Sequence, residues 1–153
     1  MLTMKPMVKN SGFSLIEIMV VLVIMGLLAT VVAPNVIDML ASGKEKKVQA
    51  DFANIETALK MYKLDNFIYP TGEQGIEALV SRPEGDPAPK NWRKSGYLPE
   101  MPLDPWGEAY LYDSPGDDGK PYEIYTLGAD GVRGGEDEAK DFSNWDTPEE
   151  NNE

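Results

Sequence analysis

Ser11-Gly12-Phe13-Ser14-Leu15-Ile16-Glu17 leads into Ile18-Met19-Val20-Val21-Leu22-Val23-Ile24-Met25-Gly26-Leu27-Leu28-Ala29-Thr30-Val31-Val32-Ala33, and Glu17 is the only charge between Phe13 and Asn35. About 20 such residues rise about 30 Å as a helix, the thickness of a hydrocarbon core. Upstream, residues 1–12 carry Lys5 and Lys9 and no acid, a bias that holds the N-terminus in the cytoplasm and sends the chain beyond Pro34 across the membrane. A cleaved secretory signal has a shorter apolar core of about 7–15 residues ending in a small-x-small site. Ala29-Thr30-Val31-Val32-Ala33-Pro34 makes a poor one. A plain single-span anchor leaves Glu17 unexplained, since a carboxylate in the apolar segment costs about 2.5–3.5 kcal/mol without a partner and so reads as functional.

The rest of the chain is of another character. Its 153 residues include 14 Lys+Arg against 26 Asp+Glu, with no Cys and no His. Those two zeros exclude a disulfide framework, a thiolate or imidazole zinc site, a cysteine nucleophile and any histidine-based triad. The net charge of -12 argues against nucleic acid, whose phosphates need a basic footprint. A mean hydropathy of -0.36 describes neither part, because one apolar block sits on an otherwise very polar chain.

The opening stretch resembles the class III signal of type IV pilins and their relatives: a short basic leader, a Gly, an aromatic residue, and a Glu five residues into the mature chain. The resemblance implies cleavage by prepilin peptidase between Gly12 and Phe13, with Phe13 becoming the N-methylated terminus. It divides the chain into a leader (1–12), a transmembrane and assembly helix (13–34), a periplasmic domain (35–146) and a flexible acidic tail (147–153). Cleavage creates an ammonium four residues from Glu17. Among parallel helices, Glu17 of one subunit can neutralise the Phe13 ammonium of its neighbour in a medium of low dielectric constant and fix axial register.

Beyond Pro34 the apolar positions Val48, Phe52, Ile55, Leu59 and Tyr62 step by four, three, four and three residues, one face of an amphipathic helix. One long helix is therefore predicted over about 13–64, with Pro34 and Gly43 as points of softening. Thr71 and Gln74 have capping-box spacing ahead of Ile76, Leu79 and Val80, which predicts a brief second helix. Residues 81–94 hold three prolines and read as loop. Residues 109–112 and 122–127 have strand composition and enclose a turn-rich run at 113–121. The fold class is α+β: a pilin-like long N-terminal helix, its first half membrane-spanning, packed on a small antiparallel sheet of two or three strands.

Three further stretches narrow the resemblance. Residues 61–79, then Leu98-Pro-Glu-Met-Pro-Leu-Asp-Pro-Trp-Gly107, then Leu127-Gly-Ala-Asp-Gly131 through Asn144-Trp145 are similar to the major pseudopilins, the G subunits, of type II secretion systems. With the signal they cover nearly the whole chain. Asp104-Pro105-Trp106-Gly107 reads as a turn with a packed Trp, without chemistry of its own.

From Asp130 to Glu153 there are nine acids and two bases. Crowded carboxylates in a Gly-rich loop repel unless a cation neutralises them, and Ca2+ suits oxygen-only ligands; an EF-hand pattern is absent. Calcium in this loop is what the resemblance implies. Carried over by position, Asp130 and Asp141 match ligands and the carbonyls of Leu127 and Val132 contribute. Asp137 and Glu138 compete for one further role, with Asp137 preferred. Without cysteines, calcium would replace the C-terminal disulfide common in type IV pilins.

The function so implied is non-enzymatic: a structural subunit that polymerises with itself into a helical pseudopilus and drives folded exoproteins across the outer membrane. Its implied partners are prepilin peptidase, an inner-membrane platform protein and minor pseudopilins. It would be a single-pass inner-membrane protein with a periplasmic C-terminal domain. The alternatives are a type IV or competence pilin, or a membrane-tethered periplasmic enzyme or binding protein.

Overall fold

A computed structural model of the chain describes residues 12–146. The leader up to residue 11 and the acidic tail at 147–153 lie outside the described residues. Helix α1 (Leu15–Asn66) carries both the apolar block and the amphipathic stretch, and the helix runs through Pro34 and Gly43. It starts and stops two residues later than predicted, for reasons visible at each end. The Glu17 carboxylate caps the start by accepting from the Ser14 amide, and Phe67 in a left-handed conformation (φ +66°) closes the end. The chain divides into two units, the first ending at Leu40 and the second beginning at Ala41.

In the first unit, Leu15–Val32 is long and apolar enough to cross a membrane, and none of it is buried within the chain. Its side chains face outward all round, as a helix does whose solvent is lipid or other helices.

The second unit is built on the remainder of α1. Val48, Phe52, Ile55, Ala58, Leu59 and Tyr62 are its buried face, as the four-three spacing requires. Each fully buried aliphatic side chain of this kind contributes about 1.5–3 kcal/mol. Against this face pack Ile76, Ala78 and Leu79 at the short second helix, and Tyr110, Tyr112, Tyr122 and Ile124 in and beside the sheet strands. The tyrosines bury their rings while their hydroxyls find acceptors: Tyr110 donates to Asp51 Oδ2 at 2.7 Å and Tyr112 to the Pro70 carbonyl at 2.9 Å. Burial pushes the Tyr112 phenol up to about 12, and Tyr110 higher still, the latter also through its bond to the Asp51 carboxylate.

The predicted capping box forms: the Thr71 amide donates to Gln74 Oε1 at 3.1 Å and the Gln74 amide to Thr71 Oγ1 at 3.2 Å. It caps a run of turns, however, and α2 is confined to Glu77–Val80. Gly75 stands between, at φ +60°, a left-handed backbone that stops the helical run.

The sheet has three antiparallel strands in the order β1 (Leu111–Asp113), β2 (Glu123–Thr126), β3 (Phe142–Ser143). Tyr112 pairs with Ile124, and both side chains enter the core. The third strand pairs Tyr125 with Ser143 and Thr126 with Phe142. Two residues are too few to show an alternating pattern, so this strand has no sequence signature of its own. Residues 81–94 hold no regular element; Trp92 fastens them to the core by donating from Nε1 to the Ala78 carbonyl at 2.9 Å.

The turn at Asp104 is a structural joint. Its carboxylate is buried; Oδ1 accepts from the amides of Trp106 and Glu108, both at 2.9 Å, and Oδ2 from the Thr126 hydroxyl of β2. Trp106 in turn stacks on Phe142 of β3, ring centroids 6.3 Å apart. Asp104→Ala would strand three donors, two of them backbone, and is expected to cost about 3 kcal/mol or more. Asp104→Asn retains an acceptor for the amides and should cost about half as much. Thermal melts of the two variants check the order, and equal losses would mean that packing, not hydrogen bonding, sets the cost.

Candidate functional site

Gly12, Phe13 and Ser14 precede the first turn of α1 as non-helical chain. Phe13 is 85% exposed and nothing crowds Gly12. The Ser14 amide donates to Glu17 Oε2 at 2.8 Å, and the Ile18 amide to the Ser14 carbonyl at 3.3 Å. Ser14-Leu15-Ile16-Glu17 thus has the spacing of a capping box, with the acid reaching back to an orphan amide at the helix start. In the sequence this role is masked: the Ser-x-x-Glu spacing is present, but an acid in an apolar block is the stronger signal and draws attention to the charge alone. The carboxylate also lies where the helix dipole favours an anion.

The second candidate is the loop between β2 and β3, residues 127–141. Gly128 turns it at φ +65°, and a Cβ there would stand 2.8 Å from the Lys140 carbonyl oxygen, so only glycine lets the two ends of the loop pass so closely. The Ala129 amide donates to the Glu138 carbonyl at 2.8 Å across the same crossing. Asp130 is exposed, and its Oδ1 accepts from the Val132 amide at 3.1 Å. Asp141 is half-buried; its Oδ2 accepts from the Gly134 amide at 2.8 Å, while its Oδ1 is buried and has no hydrogen-bond partner. Leu127 is half-buried at the loop entrance, and Val132 lies outward at 63% exposure. Asp137, exposed and at φ +55°, opens a short turn, Asp137–Ala139, and Glu138 leaves it toward α1, where Lys44 Nζ meets its Oε1 at 2.7 Å.

All five loop positions singled out from the sequence therefore lie on one small loop. Among the described residues no three acidic side chains converge into a cluster able to hold a metal by themselves. An orphaned buried carboxylate oxygen in a loop whose donors are all oxygen, backbone carbonyls included, fits a hard cation such as Ca2+. The braces around this loop leave no mark in the sequence pattern. Lys44 belongs by spacing to the charged, outward face of α1, yet it pairs with Glu138 and its ammonium lies 5.7 Å from the Trp106 ring. Arg133 folds back over Tyr125 of β2, guanidinium to centroid 5.3 Å. Asn144 accepts from the Ile124 amide at 2.8 Å and donates to Glu56 at 2.9 Å, and Trp145 donates to the Tyr122 carbonyl at 2.7 Å. These contacts join distant parts of the chain, which no local pattern announces.

Away from both candidates, Asp65 near the end of α1 is paired with Arg93 and also accepts from Tyr97, and the guanidinium holds this carboxyl below its ordinary range.

Residues 35–145 match the family model described as type II secretion system protein G, and residues 7–33 match the prokaryotic N-terminal methylation motif. The chain is similar to the type II secretion system core protein G of Pseudomonas aeruginosa, 53% identical over 138 residues covering 90% of this chain and 96% of that protein. It resembles the protein of the same description from Vibrio cholerae, 49% identical over 142 residues covering 93% and 96%. Among solved structures, the major pseudopilin from the type 2 secretion system of enterohaemorrhagic Escherichia coli matches with a TM-score of 0.63 at 42% identity, covering 71% of this chain and 87% of that one. These matches take in the apolar helix and nearly all of the second unit, and the chain belongs to the type II secretion system protein G family of major pseudopilins.

Proposed function

We propose that this chain is a structural, non-catalytic subunit of a pseudopilus, held in the inner membrane by its apolar helix with the second unit in the periplasm. The observation that carries this is the position of the Gly12–Phe13 bond, exposed and immediately ahead of α1, with Glu17 in the first turn. Prepilin peptidase would cut there, and a platform protein would add the matured chain to a growing helical homopolymer, with minor pseudopilins as companions. In the polymer, parallel apolar helices form the core and the second units form the shell that pushes folded exoproteins outward. Gly12→Glu is expected to retain the leader, giving a slower band on a gel and no Phe N-terminus on sequencing. A normal Phe N-terminus from that variant overturns the assigned cleavage site.

For the loop, we infer a calcium role. Asp130 and Asp141 would supply carboxylates, and Leu127 and Val132 carbonyl oxygens. The engagement of Glu138 by Lys44 favours Asp137 for the remaining acidic ligand. The ion, when bound, supplies positive charge that offsets carboxylate repulsion and ties the two sides of the loop together. In this cysteine-free domain that is the staple available.

A further inference from the structure

Helix α1 ends on a residue ill-suited to its conformation. Phe67 follows the last helical residue at φ +66°, its amide donating to the Lys63 carbonyl at 2.7 Å. This is the left-handed closing turn at which glycine is usual, because a Cβ is strained there. The strain is not repaid by burial: Phe67 is 78% exposed, and Leu64 beside it 75%. With Tyr69 these two line a shallow depression of about 410 Å³, rimmed by Lys60 and Lys63. Lys60 is paired with Glu56 at 3.1 Å, and Lys63, 4.5 Å from the Tyr69 ring, supplies the positive charge of the patch. An exposed apolar pair between two lysines, on a chain of net charge -12, suits a counterpart that is both apolar and acidic.

The chain itself carries such a counterpart. Val132, 63% exposed, stands on the loop that also presents Glu136 to solvent, an acid outside the inferred calcium ligands. That loop is tied to α1 at Lys44, 20 residues before Leu64, or about 30 Å along the helix. The two surfaces lie toward opposite ends of the second unit and are too far apart to meet in one chain. A surface at one end that fits a surface at the other makes a heterologous contact, which repeats without closing.

We propose that the Leu64 and Phe67 patch of one subunit receives the loop around Val132 of a second copy, as an axial head-to-tail contact. This rests on the polymer reading of the chain's function and adds to it a specific shell interface.

Because the chain has no cysteine, the paired variant Phe67→Cys with Val132→Cys in the full-length protein reports only the designed contact. Oxidised polymers in membranes should give a covalent ladder of two, three and more subunits, absent from either single variant. Polymers that form without a ladder, or cross-links only to a different protein, overturn the proposal while leaving the polymer reading intact. No polymers from the wild-type chain would remove both. Phe67→Gly provides the second measurement. It relieves the strained turn, so the melting midpoint of the detergent-solubilised full chain should hold or rise, while polymer yield falls about tenfold, as for a truncated interface hot spot. A wild-type polymer yield from Phe67→Gly overturns the proposal.

Discussion

Glu17→Gln should yield a chain that is made, inserted and cleaved but not assembled. Its amide oxygen can still accept from the Ser14 amide, which Glu17 Oε2 does at 2.8 Å, so the helix start survives the change. The substitution removes the charge that would meet the Phe13 ammonium of a neighbour. Leaving one partner of such a pair uncompensated in an apolar core costs about 3–5 kcal/mol. Each 1.4 kcal/mol is a factor of ten, so subunit addition weakens by roughly 100-fold or more. Glu17→Ala loses the cap as well and should be no better. Fractionating membranes for polymers and assaying secretion distinguishes the cases. Wild-type assembly by Glu17→Gln would show that capping alone is this residue's role, and normal secretion by Glu17→Ala would remove the register role altogether.

Withdrawing calcium should lower the thermal midpoint of the detergent-solubilised chain substantially. An ion that binds only the folded loop, present at a hundredfold excess over its dissociation constant, adds about 2.7 kcal/mol. For a domain of this size that is on the order of 10 °C. The sign of the companion variant is the sharper test. Asp141 Oδ1 is buried without a partner, so in the absence of the ion that oxygen is a liability. Asp141→Asn keeps an acceptor for the Gly134 amide and removes the charge. Its midpoint in EGTA should equal or exceed that of the parent, and calcium should no longer raise it. An unchanged parent midpoint in EGTA, or a full calcium response from Asp141→Asn, would sink the calcium role.

The parts of the fold written in short periods are legible in the sequence. The apolar block, the four-three spacing from Val48 to Tyr62 and the two aromatic strands each repeat a local pattern imposed by helix or sheet geometry. The capping pair Thr71 and Gln74 is equally local, though its consequence is not: Gly75 diverts the helix one residue later. The illegible features are long-range. The strand Phe142–Ser143 exists because β2 presents an edge to it, and Lys44 looks like any solvated lysine until the loop folds back onto it. At the candidate sites, residue types and positions are readable and partnerships are not. Nothing in Asp141 alone says that one of its oxygens is satisfied and the other stranded.

The loop between β2 and β3 is held at its two ends by different means. At one end it leaves the β1–β2 hairpin; at the other, Phe142, Asn144 and Trp145 are tied to β2, α1 and the Tyr122 carbonyl. Between these anchors the loop has little apolar surface committed to the core. Such a segment opens and recloses as a local unit while the sheet and helix persist. In the proposed polymer, a subunit whose loop is pulled open would recover by reclosure rather than by refolding, because the edge of β2 stays paired with β3.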